Sequence, residues 1–143
     1  MAIAYMELEL LNPPGEALEI PMSTAVVFDT IVSYEGTEIS YNMGTGEITF
    51  HDPGYYYIDW YVSPQFGLTT DGSNFALITS DADPPTIGSS HVRVAPAVGF
   101  AILHVVTGGK TAQLINVSDD DLTLSEAVNT KAALIVYEIA KDS

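Results

Sequence analysis

The residues from which this chain could build a reactive centre are three histidines, His51, His91 and His104, and 19 carboxylates. With no cysteine, a thiolate nucleophile, a thiolate metal site and a disulfide framework are all excluded. A histidine-based metal centre needs ring nitrogens converging with a carboxylate, and a strand supplies them as His-x-His. No two histidines stand at that spacing, and His104, within "AILHVV", reads as an interior or interface histidine. There is no Gly-x-Ser-x-Gly elbow to expose a serine nucleophile, and no glycine-rich phosphate loop between a strand and a helix. The clustered acids are Asp81, Asp83, Asp119, Asp120 and Asp121. Loop carboxylates are hard oxygen ligands suited to calcium, so Asp119, Asp120 and Asp121 are the candidate metal ligands. Turn chemistry alone also favours Asp at these places. Asn116-Val117-Ser118 forms a glycosylation sequon. These residues predict a non-enzymatic protein with no required cofactor, calcium being the one candidate.

Four Lys and Arg against 19 Asp and Glu give a net charge of −15. Phosphate affinity comes from clustered basic residues, so nucleic acid and anionic membrane surfaces are not expected partners. The first 21 residues, "MAIAYMELELLNPPGEALEIP", have no basic start and no long apolar run, so no signal peptide or membrane span is visible. The 143 residues are expected to form one domain, residues 1–143.

The elements that must carry these residues read as strands. "IAYMELEL" alternates with period two, and Pro13-Pro14 then stops it. "TAVVFDTIVS" is rich in β-branched residues. "EISYN" and "EITFH" flank "MGTG" as a hairpin whose glycines supply positive φ. "YYYIDWYVS", "FALITS", "HVRVA", "GFAILHVVT", "TAQLINVS", "LTLSEAV" and "AALIVYEIA" follow, with "PQFGLTTDGSN" and "DADPPTIGSS" as loops. No segment sustains a capped helical period. About ten short strands separated by turns indicate an all-β antiparallel sandwich, most simply a jelly roll.

The segment after the Asp52-Pro53-Gly54 turn holds four tyrosines and a tryptophan within seven residues. Alternation puts Tyr56, Ile58, Trp60 and Val62 on one face, the ordinary core. Tyr55, Tyr57, Asp59 and Tyr61 fall on the other, which is too aromatic for a solvated surface and marks an interface. Asp59 there needs a tyrosine hydroxyl or a backbone amide as partner. The last strand is apolar on both faces: Ala132, Leu134 and Val136 on one, Ala133, Ile135, Tyr137 and Ile139 on the other. Leu134, Val136 and Tyr137 therefore join the expected interface.

Residues 41–60 resemble the signature of C1q-type globular domains: an aromatic, six residues, Phe, five residues, then Gly-x-Tyr-x-Phe-x-aromatic. Here Tyr41, Ile48, Gly54, Tyr56, Ile58 and Trp60 stand at that spacing, with Ile replacing Phe twice. Upstream, Phe28 is present, but Tyr34 stands where the pattern has Asn or Asp. "GFAILHVVTGGKTAQLINVS" is similar to the family's strand–turn–strand hairpin and "AALIVYEIA" to its final strand, so the resemblance spans about residues 3–140. In style it is similar to the C-terminal heads of bacterial collagen-like exosporium glycoproteins. The resemblance implies a ten-stranded C1q/TNF-like jelly roll that forms a homotrimer, placed on a spore surface or outside the cell. It implies a structural head or a module that binds a glycan or protein. Calcium near the top of some such trimers gives Asp119–Asp121 their precedent. "SPQFGLTTDGSN" and "DADPPTIGSSH" are the loops through which a ligand would be read.

Overall fold

The computed structural model describes residues 3–11, 16, 18–67, 73–81, 86–90, 96–125 and 128–142. All regular elements among them are strands: β1 (Tyr5–Leu10), β2 (Leu18–Ile20), β3 (Thr30–Glu35), β4 (Ile39–Tyr41), β5 (Ile48–Phe50), β6 (Gly54–Val62), β7 (Pro64–Gly67), β8 (Ser73–Thr79), β9 (Thr86–Ser90), β10 (Ala97–Val105), β11 (Lys110–Asn116), β12 (Leu122–Leu124) and β13 (Ala132–Lys141). One five-stranded sheet has the order β10-β6-β13-β1-β3 and a second the order β4-β5-β11-β8-β9. A small third sheet, β2-β12-β7, accompanies them. Every pairing is antiparallel. The two five-stranded sheets supply the ten strands of the expected jelly roll.

The sheets enclose one core, because each long strand sends alternate residues inward. Met6, Leu8 and Leu10 of β1, Tyr56, Ile58, Trp60 and Val62 of β6, and Leu134 and Val136 of β13 meet Phe50, Phe75 and Leu114 of the second sheet. In the β4–β5 hairpin only the second of the two expected glycines takes up positive φ. Gly46 has φ of +80°, and Asn42 Oδ1 accepts the Gly44 N–H at 2.7 Å.

Three expectations shift. "TAVVFDTIVS" is not one strand. Residues 24–26 instead run along β11, with the Val26 N–H bonded to Leu114 O, and regular pairing begins at Thr30. The segments read as loops from Pro64 and from Asp81 contain β7 and β9, whose Gly, Ser and Pro content hides strand character. Residues 91–95, the expected strand "HVRVA", lie outside the described residues.

Tyr41 and Tyr56 anchor the core edge through hydroxyls that donate to backbone carbonyls, Phe28 O at 2.7 Å and Asp52 O at 2.8 Å. Burial, the largest cause in each case, pushes both hydroxyls up to about 12 from the ordinary 10. The folded chain thus keeps two protons that the unfolded chain releases. Their contribution to stability is complete below about pH 10 and drains away as pH rises toward 12. Phenolate absorbance should show a late ionisation step that coincides with unfolding and disappears in Tyr41→Phe/Tyr56→Phe. Ionisation of all eight tyrosines in one step near the ordinary value would contradict this.

Candidate functional site

The outer face of the β10-β6-β13-β1-β3 sheet is where sequence and structure concentrate unusual surface. Strand register sets its rows. Ile102, Tyr57, Tyr137, Tyr5 and Glu35 form one row across the five strands. Phe100, Asp59, Ile135, Glu7 and Ser33 form the next, and Val98, Tyr61, Ala133, Glu9 and Thr30 the one beyond. The face is therefore graded: aliphatic and aromatic at β10, tyrosine-rich in the middle, acidic at β1.

Tyr55, Tyr57, Asp59 and Tyr61 point outward from β6, as alternation requires, and Tyr137 joins them from β13. Tyr57 and Tyr137 pack with ring centroids 5.3 Å apart. Tyr55 stacks on His104 at 4.3 Å with rings nearly parallel. The Tyr57 hydroxyl donates to Asp59 Oδ2 in a long bond of 3.4 Å, the tyrosine partner that Asp59 needs. Burial first, then the nearby Glu9 charge, push the Tyr61 hydroxyl above its ordinary value.

Leu134 and Val136 require a correction. They are 1% and 0% exposed and point into the sandwich, so the first sheet's own core covers them and they have no surface to offer a second chain. The residues of β13 that do face outward beside the β6 tyrosines are Ala133, Ile135 and Tyr137, and Ile139 is exposed beyond them.

The sequence reading missed the β10 edge. Val98, Phe100 and Ile102 are 59%, 68% and 64% exposed, and β9, carrying exposed Ile87, packs beside this strand. β10 places large apolar residues on both faces, with Leu103 and Val105 buried behind the exposed row. On a chain of charge −15, such a patch is conspicuous.

The other candidates fall in turns. Asp121 Oδ1 accepts the Met22 N–H at 2.7 Å, and Asp120 Oδ1 accepts the Asp121 N–H at 2.8 Å. Asp119 adjoins them in the same turn. Among the described residues no group of three or more His, Cys, Asp or Glu is placed to hold a metal ion. Asp83 and His91 lie outside the described residues. Asn116 of the sequon is 0% exposed, and its amide bonds Ile20 O while its Oδ1 accepts the Ser118 N–H. It is a turn anchor that a glycosyl transferase cannot reach.

Two histidines have polar side-chain partners. His104 Nε2 lies 3.0 Å from Asp142, exposed at one end of the face. His51 Nε2 lies 2.8 Å from Ser40 Oγ, also exposed. Among the described residues no carboxylate holds the other ring nitrogen of His51, so a nucleophile–base–orienter set is not assembled there.

No family model and no curated protein matches the sequence. Solved structures do match. The globular domain of zebrafish complement 1qA protein superposes with a TM-score of 0.65 at 14% identity, covering 99% of this chain and 100% of that one. Vertex protein P5 of PRD1 gives 0.66 at 14% identity, covering 97% and 99%. Murine APRIL gives 0.62 at 16% identity, covering 96% and 100%. The chain has a C1q/TNF-like jelly-roll fold.

Proposed function

We propose that this C1q/TNF-like chain is a non-enzymatic head domain that assembles with two copies of itself, through the outer face of the β10-β6-β13-β1-β3 sheet. The observation that carries this reading is that face: a row of exposed Val98, Phe100 and Ile102 beside a tyrosine-rich centre, on an otherwise acidic protein. A closed ring of three needs two different, complementary patches on each copy. The β10 edge supplies a protruding apolar ridge, and the Tyr57–Tyr137–Ile135 region supplies a broad aromatic surface for the next copy's ridge. Tyrosine suits such a surface because its ring is large and stiff and its hydroxyl stays satisfied at the rim. Three chains together carry three times −15, or −45, so apolar burial must outweigh repulsion.

Placement as a surface or extracellular head, in the manner of spore-surface heads, is supported by the sequence resemblance. Light scattering on the purified chain should give about three times the 15.3 kDa chain mass. A clean monomer at micromolar concentration would remove the trimer reading. A glycan array run on the same sample tests the alternative role, a module binding a glycan or receptor through its loops.

Calcium is expected to add little. The Asp120 and Asp121 carboxylates already serve backbone N–H groups, so equal concentrations of calcium and magnesium should shift the melting temperature equally and slightly. A calcium-specific rise that disappears in Asp119→Asn/Asp121→Asn would restore the metal site.

A further inference from the structure

We propose that assembly of this chain is coupled to proton uptake at Glu7, Glu9 and Asp59, so that the oligomer tightens as pH falls. This rests on the face-mediated assembly proposed above. The three carboxylates rim a shallow trough of about 250 Å³ whose remaining outward-facing lining includes Tyr61, Ala133 and Ile135. The trough exists because Ala133 is short: it stands between Tyr61 and Glu9, whose longer side chains flank it. Glu7 and Glu9 are two residues apart on one strand, and Asp59 lies two strands from Glu7 in the same row. Strand geometry therefore holds Asp59 about 10 Å from Glu7 and about 12 Å from Glu9.

No described cation faces them. Lys110 pairs with Asp81 at 2.7 Å, and Lys141 with Glu138 at 3.1 Å and Glu38 at 3.6 Å. Lys131 is fully buried, with its ammonium donating to Val128 O. The other titratable groups of the face are Tyr57 and Tyr61 on β6, Tyr5 on β1, Tyr137 on β13, Glu35 on β3, and, one row beyond Ile102, Tyr55 and His104. Among the described residues of the face only His104 carries a basic group, and it already has Asp142 beside it.

When the next copy's apolar ridge displaces water from this face, three neighbouring negative charges lose solvation without gaining a counter-charge. The protonated acids suffer far less, so the assembled form holds more protons than the separate chains. By linkage, the form that holds more protons gains as pH falls and weakens as pH rises.

The test is the monomer–oligomer dissociation constant by sedimentation equilibrium, at constant ionic strength, from about pH 8 to about pH 5, with circular dichroism confirming the fold at each point. Tightening of at least about tenfold is expected over that range. Glu7→Gln/Glu9→Gln/Asp59→Asn should associate tightly throughout with a flattened slope, and Glu9→Gln alone, the mildest change, should flatten it in part. His104→Gln should keep the slope. Glu16→Gln/Glu19→Gln/Glu47→Gln removes the same charge away from the face and should keep it too. An oligomer of unchanged affinity across the range overturns proton coupling while leaving assembly intact, as does equal flattening in the two triple variants, which would indicate net charge alone. Absence of any oligomer at every pH overturns both.

Discussion

Phe100→Asp and Tyr57→Asp should each turn the assembled protein into folded monomers, raising the dissociation constant at least about thirtyfold, the effect of losing about 2 kcal/mol at an interface anchor. Phe100 is the most exposed large side chain of the β10 ridge, so its replacement costs the isolated chain little. In the assembly it would put a carboxylate where a ring was buried, opposite Asp59 of its own neighbouring strand. Tyr57 sits between Ile102 and Tyr137 at the centre of the face, and an aspartate there adds a second charge beside Asp59. Circular dichroism should show an unchanged β spectrum while sedimentation shows the loss of mass. Thr111→Asp, on β11 of the opposite sheet, should leave the mass unchanged.

Gly99→Ala should lower the stability of the fold itself by about 3 kcal/mol, the upper part of the overpacking range. Gly99 lies directly across from Trp60, and the indole lies over it. A methyl group there would overlap Cζ2 and stand 2.7 Å from Cε2 of a ring that is almost completely buried. The requirement is steric: the glycine makes room for the indole, whose Nε1 has no hydrogen-bond partner among the described residues. Measured in the Phe100→Asp background, where association does not contribute, the melting temperature should fall by about 10 °C. Trp60→Phe shrinks the ring, so Gly99→Ala should cost clearly less on top of it, a non-additivity that reports the contact. Equal cost in both backgrounds would dissociate the glycine from the tryptophan.

The β6 face was legible because a strand's two-residue period divides its residues without reference to anything else. Tyr56, Ile58, Trp60 and Val62 on one side are an ordinary core, which leaves the tyrosines opposite in need of explanation. The same period misled at β13. Both of its faces are apolar, and composition alone does not say which is the inner one. Pairing of β13 between β6 and β1 decides it, and assigns Leu134 and Val136 inward. β9 was illegible because "TIGSS" has turn composition, and its strand character comes from pairing with β8. The β10 ridge was hidden for another reason. "GFAILHVVT" carries large apolar residues on both faces and looks like a strand buried on both, whereas β10 closes an edge of its sheet and exposes one face. In the Asp119–Asp121 turn, acidity alone did not reveal that Asp120 and Asp121 accept neighbouring backbone N–H groups.

The ridge-to-face contact is tested most directly by mixing the two disabled chains. The Tyr57→Asp chain keeps a sound ridge, and the Phe100→Asp chain keeps a sound face. One contact of the ring can then form between them, and the ring cannot close. Sedimentation of the equimolar mixture should reveal a one-to-one heterodimer that neither chain forms alone. Two monomers that ignore each other in the mixture, or a Phe100→Asp chain that still assembles by itself, would contradict a ring built from two different patches.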